Sequence, residues 1–241
     1  MSASRAETPV VLVHRAGGTA DEWNEVLSFA REDEPRRVLF AVDLPGRRDP
    51  SDHPGSIEAM AELVADEVAR LGRGPALLAG HSMGGVVAMQ TCVDFPGWVR
   101  GLLLAASAAE RGVAGKVIGS LEADADGAFA ARALSPSLDG TRAQELLARM
   151  GRVPFSVLRA DLAAAARSEL SGRLEEVTVP VRVLVGRDDR LVPPLKAMRL
   201  RDRLADARLR LFDDVGHMMP WEAPRELAAE IVAMARRMDE E

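Results

Sequence analysis

Cysteine is nearly missing: Cys92 is the only one in 241 residues. This excludes an internal disulfide and any metal site built on paired cysteines. Long apolar runs are absent too, none approaching the ~20 residues of a membrane-spanning helix. Met1–Glu7 lacks the apolar segment of a signal peptide, so a cytoplasmic protein with a frayed start is expected. Positive charge is in deficit, 31 Lys and Arg against 37 Asp and Glu. The basic residues are scattered rather than gathered into a stripe, which argues against a nucleic-acid partner. The four histidines, at 14, 53, 81 and 217, have no spacing typical of metal ligands on one helix, so no metal and no other cofactor are expected.

What is present is 47% hydrophobic residues, enough in a chain of this length for one large domain. Apolar runs at Pro9–Val13, Val38–Val42, Ala76–Ala79, Gly101–Ala105, Val179–Val185 and Ala207–Phe212 read as six strands. Short, continuously apolar strands suit a parallel sheet buried on both faces. Between them lie helical patterns at Asp21–Ala30, Ile57–Leu71, from about Gly84 to Phe95, Pro194–Leu204 and Pro224–Met238. Such alternation predicts an α/β fold, a mostly parallel six-stranded sheet with helices on both faces. Residues 107–172 break the alternation with Ala-rich helical pieces at Gly127–Ala133, Thr141–Met150 and Ser156–Leu170. The expected organisation is a core of residues 1–106 and 173–241, with residues 107–172 inserted as a helical lid.

The centre of the pattern is Leu78–Gly85, where a buried strand runs straight into an apolar helix through Gly80-His81-Ser82-Met83-Gly84. A serine on so tight a corner takes an unfavourable backbone conformation, and its neighbours two positions away must lack a Cβ. The turn exposes the Ser82 hydroxyl above the carboxyl edge of the sheet and points the Met83 N–H, at a helix N-terminus, toward a developing oxyanion. Cys92, ten residues on, sits inside the apolar helix and reads as packing.

GHSMGG in this setting resembles the nucleophile elbow of the α/β-hydrolase superfamily, and the likeness runs from Pro9 onward. It implies nucleophile, acid and base in that order along the chain. GHMMPWEAP matches the superfamily's histidine loop and assigns the base to His217. The loop Gly186–Pro193 holds two adjacent carboxylates, Asp188 and Asp189, and the family's placement selects Asp189. The HGxxG loop corresponds to HRAGG here, giving Ala16 as the second oxyanion donor. His81 is expected to pack or bond beneath the elbow, and His53 to be exposed in a polar turn. The superfamily's leading antiparallel strand pair is expected to be missing.

Two loops depart from the superfamily pattern. Arg15 replaces a glycine in HRAGG, and PGRRDP places Arg47 and Arg48 where histidine and glycine are usual. All three arginines fall on loops at the carboxyl edge of the sheet, where open α/β folds bind ligands. One or more of them is a candidate for holding an anionic substrate group, with Arg47 and Arg48 solvated or paired with Asp49 as the alternative. Met218 and Trp221 are candidates for lining the substrate pocket.

Three functions follow from the resemblance. The first is a serine hydrolase cleaving a small-molecule carboxylic ester or lactone through an acyl-enzyme on Ser82. The second is an acyl-thioesterase with a carrier protein as partner, because PGRRDP followed by SIEAMAELV resembles the PGR segment of type II thioesterases, as does the RAGGTA loop. The third is a non-catalytic binding protein on the same scaffold.

Overall fold

A computed structural model describes residues 7–122, 129–150 and 152–240. The expected frayed start, except for Glu7, and the first two residues of the helix expected at Gly127–Ala133 lie outside them. The elements follow in the order β1 (Val10–Val13), α1 (Asn24–Asp33), β2 (Leu39–Val42), α2 (Ile57–Leu71), β3 (Ala76–His81), α3 (Met83–Asp94) and β4 (Val99–Ala105). Then come α4 (Arg111–Glu122), α5 (Phe129–Arg132), α6 (Gly140–Met150), α7 (Phe155–Arg167), β5 (Val181–Gly186), α8 (Pro194–Asp202), β6 (Ala207–Phe212), α9 (Met219–Glu222) and α10 (Pro224–Glu240).

The six strands form one sheet in the order β2-β1-β3-β4-β5-β6, and every pairing is parallel. Among the described residues no strand precedes β1. Alternate side chains of each strand leave by opposite faces. Val11 and Val13 join Leu78, Leu104 and Val183 against α2, α3 and α8. Val10 and Leu12 join Leu77, Leu103 and Leu184 against α1 and α10. Both faces are thus dry, which is why the central strands show no polar alternation. At about 25 cal/mol per Å² of apolar surface, burial in these two layers is the main stabilising term.

Differences from the sequence reading are local. The expected helix at Asp21–Ala30 begins as a 3-10 turn, Ala20–Trp23, before α1. Helix α7 stops at Arg167, where Ser168 turns to φ −57, ψ 135 and its hydroxyl accepts from Leu170 N at 3.3 Å. Helix α4 falls within the expected helical insertion but outside the pieces named for it, because Gly115 and Gly119 lower helix propensity by up to about 1 kcal/mol each. It forms because Val117, Ile118 and Leu121 pack toward α7 and the core. No described helix is long and apolar enough to cross a membrane.

Candidate active site

The strand-to-helix corner at Ser82 has φ 54 and ψ −116. A non-glycine residue held in such a region stores roughly 1–3 kcal/mol. Surrounding contacts hold it there. Ser82 N donates to Ala105 O at 2.8 Å, and Ser107 Oγ donates to Ser82 O at 2.9 Å. The corner also needs its glycines, since a Cβ on Gly80 would collide with Gly84 O and one on Gly84 with Val13 O.

Above this corner the loop after β6 brings His217 Nε2 to 3.0 Å from Ser82 Oγ. On the other side of the ring, Nδ1 lies 2.8 Å from Asp189 Oδ2. Asp189 is 3% exposed, and its Oδ1 accepts from Leu191 N at 2.9 Å and Val192 N at 2.7 Å. Those two amides leave Oδ2 directed at the imidazole. A carboxylate only accepts, so Nδ1 carries the ring proton and Nε2 is free to accept from the serine hydroxyl. Asp188, next to it, points elsewhere and accepts from Ser135 Oγ at 2.6 Å, while Arg187 pairs with Asp213.

The histidine loop is clamped by groups the sequence reading missed. Glu222 accepts from Ser135 N, Gly216 N and Met218 N, each at 2.8 Å. Burial pushes its carboxyl up, against the pull of those three amides and of His217. His81 lies wholly buried beneath the elbow. Its Nε2 donates to His217 O at 2.8 Å, and Nδ1 sits 3.1 Å from Glu22 Oε1. Burial would raise the Glu22 carboxyl, but the charge and hydrogen bond of His81, with Arg15, hold it below its ordinary range. Glu22 reads in sequence as a first-turn helix acid, and only its neighbour Trp23 hinted at an interior position.

The loop after β1 is fixed by His14. Leu44 N donates to its Nε2 at 3.1 Å, so Nδ1 carries the proton and donates to Arg15 O at 2.8 Å. Burial, helped by Arg47, pushes His14 down to about 4, so the ring is neutral. The amides on either side of Ala16 are held by carboxylates: Arg15 N by Glu22 at 3.0 Å and Gly17 N by Asp161 at 2.8 Å.

A cavity of about 330 Å³ opens over the serine. Ser82, His217, Ala16 and Met83 line it, with Met218 and Arg15. Its wall is otherwise mostly apolar and includes Val113 and Val117 of α4, Leu147 of α6 and Leu158 and Leu162 of α7. A space this size takes a small-molecule ligand.

The structure does not bring every candidate to this cavity. Arg47 is turned inward and forms a bidentate pair with Asp161 of α7, at 2.6 and 3.2 Å. Neither the anion contact nor the pairing with Asp49 describes it. Arg48 is exposed, as its solvated alternative has it, and forms no part of the cavity wall. Trp221 lies instead on a neighbouring cavity of about 260 Å³, with the Arg15 guanidinium 5.5 Å from its ring centre. Arg15 borders both cavities. His53 is not exposed: its Nε2 is 3.0 Å from Asp161 Oδ1. Cys92 is buried, and burial pushes its thiol up to about 11. Among the described residues no His, Cys, Asp and Glu group could hold a metal ion.

A parallel sheet covered on both faces, with a strained serine at the carboxyl end of a central strand, defines a class of hydrolytic enzyme. The chain belongs to the alpha/beta hydrolase family, whose sequence profile matches residues 10–230. It is 32% identical over 228 residues to the pimeloyl-[acyl-carrier protein] methyl ester esterase of Neisseria meningitidis serogroup A, covering 86% of this chain and 70% of that protein. It is 26% identical over 247 residues to a 2-hydroxy-6-oxononadienedioate/2-hydroxy-6-oxononatrienedioate hydrolase of a Pseudomonas species, covering 91% and 85%. In three dimensions it is similar to a thermophilic esterase from Thermogutta terrifontis, with a TM-score of 0.80 and 24% identity over 98% of this chain and 92% of the other.

Proposed function

We propose that this protein is a serine esterase that hydrolyses small-molecule carboxylic esters through an acyl-enzyme on Ser82. The observation that carries the reading is the hydrogen-bonded series Ser82 Oγ, His217, Asp189, ending at the floor of an apolar cavity. A serine hydroxyl is a weak nucleophile at neutral pH and needs an oriented base. Ser82 Oγ attacks the ester carbonyl as its proton passes to His217 Nε2. Asp189 keeps Nδ1–H in place and stabilises the imidazolium. The carbonyl oxygen, now negative, is received by the N–H groups of Met83 and Ala16. His217 returns the proton to the leaving alcohol, and the same steps with water release the acid and restore the serine.

The acyl chain occupies the cavity beneath α4, α6 and α7, the lid of this reading, with Met218 and Arg15 also on its wall. A lactone fits the same chemistry, with its alcohol remaining attached to the acyl group. The Neisseria relative carries the name of a methyl ester esterase, which favours an oxygen ester. The thioesterase reading leans on PGRRDP and on the RAGGTA loop, but Arg47 of the first and Gly17 N of the second are both committed to Asp161 rather than to a carrier. The test is a panel of p-nitrophenyl esters and matched acyl-thioesters with wild type and Ser82→Ala. Expected is ester turnover that Ser82→Ala abolishes, with kcat/KM for thioesters at least tenfold lower. Equal turnover by Ser82→Ala overturns the reading.

A further inference from the structure

Asp161 lies on α7 with no exposed surface, on a helix that also buries Val157, Leu162 and Ala164. A carboxylate withdrawn from water in this way has to be fully paired. Its partners come from two separate loops of the core, Gly17 from the one after β1 and Arg47 and His53 from the one between β2 and α2. Oδ2 accepts from Gly17 N at 2.8 Å and Arg47 Nη2 at 2.6 Å, and Oδ1 accepts from Arg47 Nη1 at 3.2 Å. Oδ1 also lies 3.0 Å from His53 Nε2. Gly55 N donates to His53 Nδ1 at 3.0 Å, so Nε2 carries the ring proton and donates to Asp161.

One of these partners stands beside the chemistry. Gly17 follows Ala16, the residue whose N–H receives the oxyanion in the proposed function. Gly17 has φ +63, and a Cβ there would sit 3.0 Å from Leu158 Cβ and Cδ1. Helix α7 therefore rests directly on this loop as well as bonding to it. On the far side of Ala16, Arg15 N is held by Glu22 at 3.0 Å. The Ala16 N–H shares a peptide plane with Arg15 O, which accepts from His14 Nδ1 at 2.8 Å and Gly18 N at 3.0 Å, and that plane is flanked by two amides anchored on carboxylates, one of which belongs to α7.

We infer that Asp161 is a positioning residue for the oxyanion site: by holding Gly17 N–H from α7, it aims the Ala16 N–H, so that seating α7 on the core and completing the oxyanion site are one event. The inference rests on the esterase reading above. Removing Asp161 costs transition-state stabilisation, which appears in kcat, and leaves the acyl cavity wall and KM nearly unchanged. Loss of one oxyanion donor lowers kcat by about 10²–10³-fold, and a misdirected one falls toward the low end of that range.

Two triple variants isolate the Gly17 bond from the ion pair and from His53. Asp161→Asn with Arg47→Met and His53→Phe removes the charges and the His53 donor, whose Nε2–H would otherwise face the carboxamide NH2, but keeps a carboxamide oxygen for Gly17 N–H. Asp161→Leu with the same two changes removes the charges and the acceptor. On one p-nitrophenyl ester the Asn variant should keep kcat within about threefold of wild type, whereas the Leu variant loses roughly 10²-fold at a KM within about threefold. Equal kcat in the two variants overturns the role of Asp161. An inactive wild type overturns the esterase reading instead. Where either variant does not melt cooperatively, amide exchange in the wild-type protein decides. Gly17 exchanging no more than about threefold faster than the α7 amides supports the inference, and exchange faster than that contradicts it.

Discussion

His81 Nε2 reaches the main-chain oxygen of His217 at 2.8 Å, so the residue before the serine holds the loop that carries the imidazole above it. With a carbonyl on one nitrogen and Glu22 on the other, both bonds are made together when the ring donates from both sides. This buried pair ties α1's approach, the elbow and the histidine loop into one unit. Replacing His81 by Phe keeps the ring's bulk, but leaves Glu22 without its imidazole partner and His217 O unpaired. Breaking a buried pair in this way costs about 3–5 kcal/mol. At about 2–4 °C per kcal/mol for a chain of this size, Tm should fall by roughly 10 °C in a thermal melt. An unchanged Tm would mean the pair contributes nothing net.

Asp189 and Asp188 are neighbours in sequence with different surroundings. The Asp189 carboxylate is oriented by two amides and faces His217, whereas that of Asp188 accepts from Ser135. Asp189→Asn turns the imidazole to the wrong tautomer and should lower kcat by about 10⁴-fold. Asp188→Asn should leave kcat within about threefold, because the change does not reach the imidazole. Steady-state kinetics of the pair checks both.

Stability should depend on pH through His14. Its pKa falls from 6.5 to about 4 in the fold, chiefly because it is buried. Between those values the unfolded chain binds a proton that the native state refuses. The contribution of His14 is therefore fully present above pH 6.5 and is lost as pH falls to 4. Two to three pKa units correspond to about 3 kcal/mol. Urea unfolding at pH 7 and pH 4 should show that difference shrinking by about this amount in His14→Gln, whose carboxamide still offers Leu44 N an acceptor.

Chain-length preference is a test of the cavity. Leu162 and Leu158 of α7 narrow it from one side and Val117 of α4 from another. Leu162→Trp fills part of that space. The kcat/KM for octanoyl esters should drop by tenfold or more, while acetyl esters change by less than about threefold. These factors correspond to about 1.4 kcal/mol or more for the long chain and less than 1 kcal/mol for the short one.

Much of this was legible in the sequence, because the strands advertise themselves. Val10–Val13 and Ala76–Ala79 are apolar without interruption since both faces are covered, and the Gly80-x-Ser82-x-Gly84 spacing answers a steric demand of one kind of corner. Asp189 was singled out from its neighbour by the loop it occupies, but the buried charge partnerships were not legible. Arg47 and Arg48 are adjacent and chemically identical, yet one turns inward to Asp161, 114 residues away, and the other faces solvent. Nothing in an Ala-rich helix marks Asp161 as buried, and Glu22 and Glu222 look like ordinary helix-start acids. Partnerships of this kind depend on which loops the fold brings together, and periodicity carries no record of that.

The most direct measurement is reaction with a fluorophosphonate, followed by intact-mass and peptide mass spectrometry. An activated serine forms a stable phosphonyl ester with loss of fluoride. One adduct per chain, on the peptide containing Ser82, with none on Ser82→Ala and strongly slowed labelling in His217→Ala, is the result this account predicts. No adduct, or one on another residue that persists in Ser82→Ala, would contradict it.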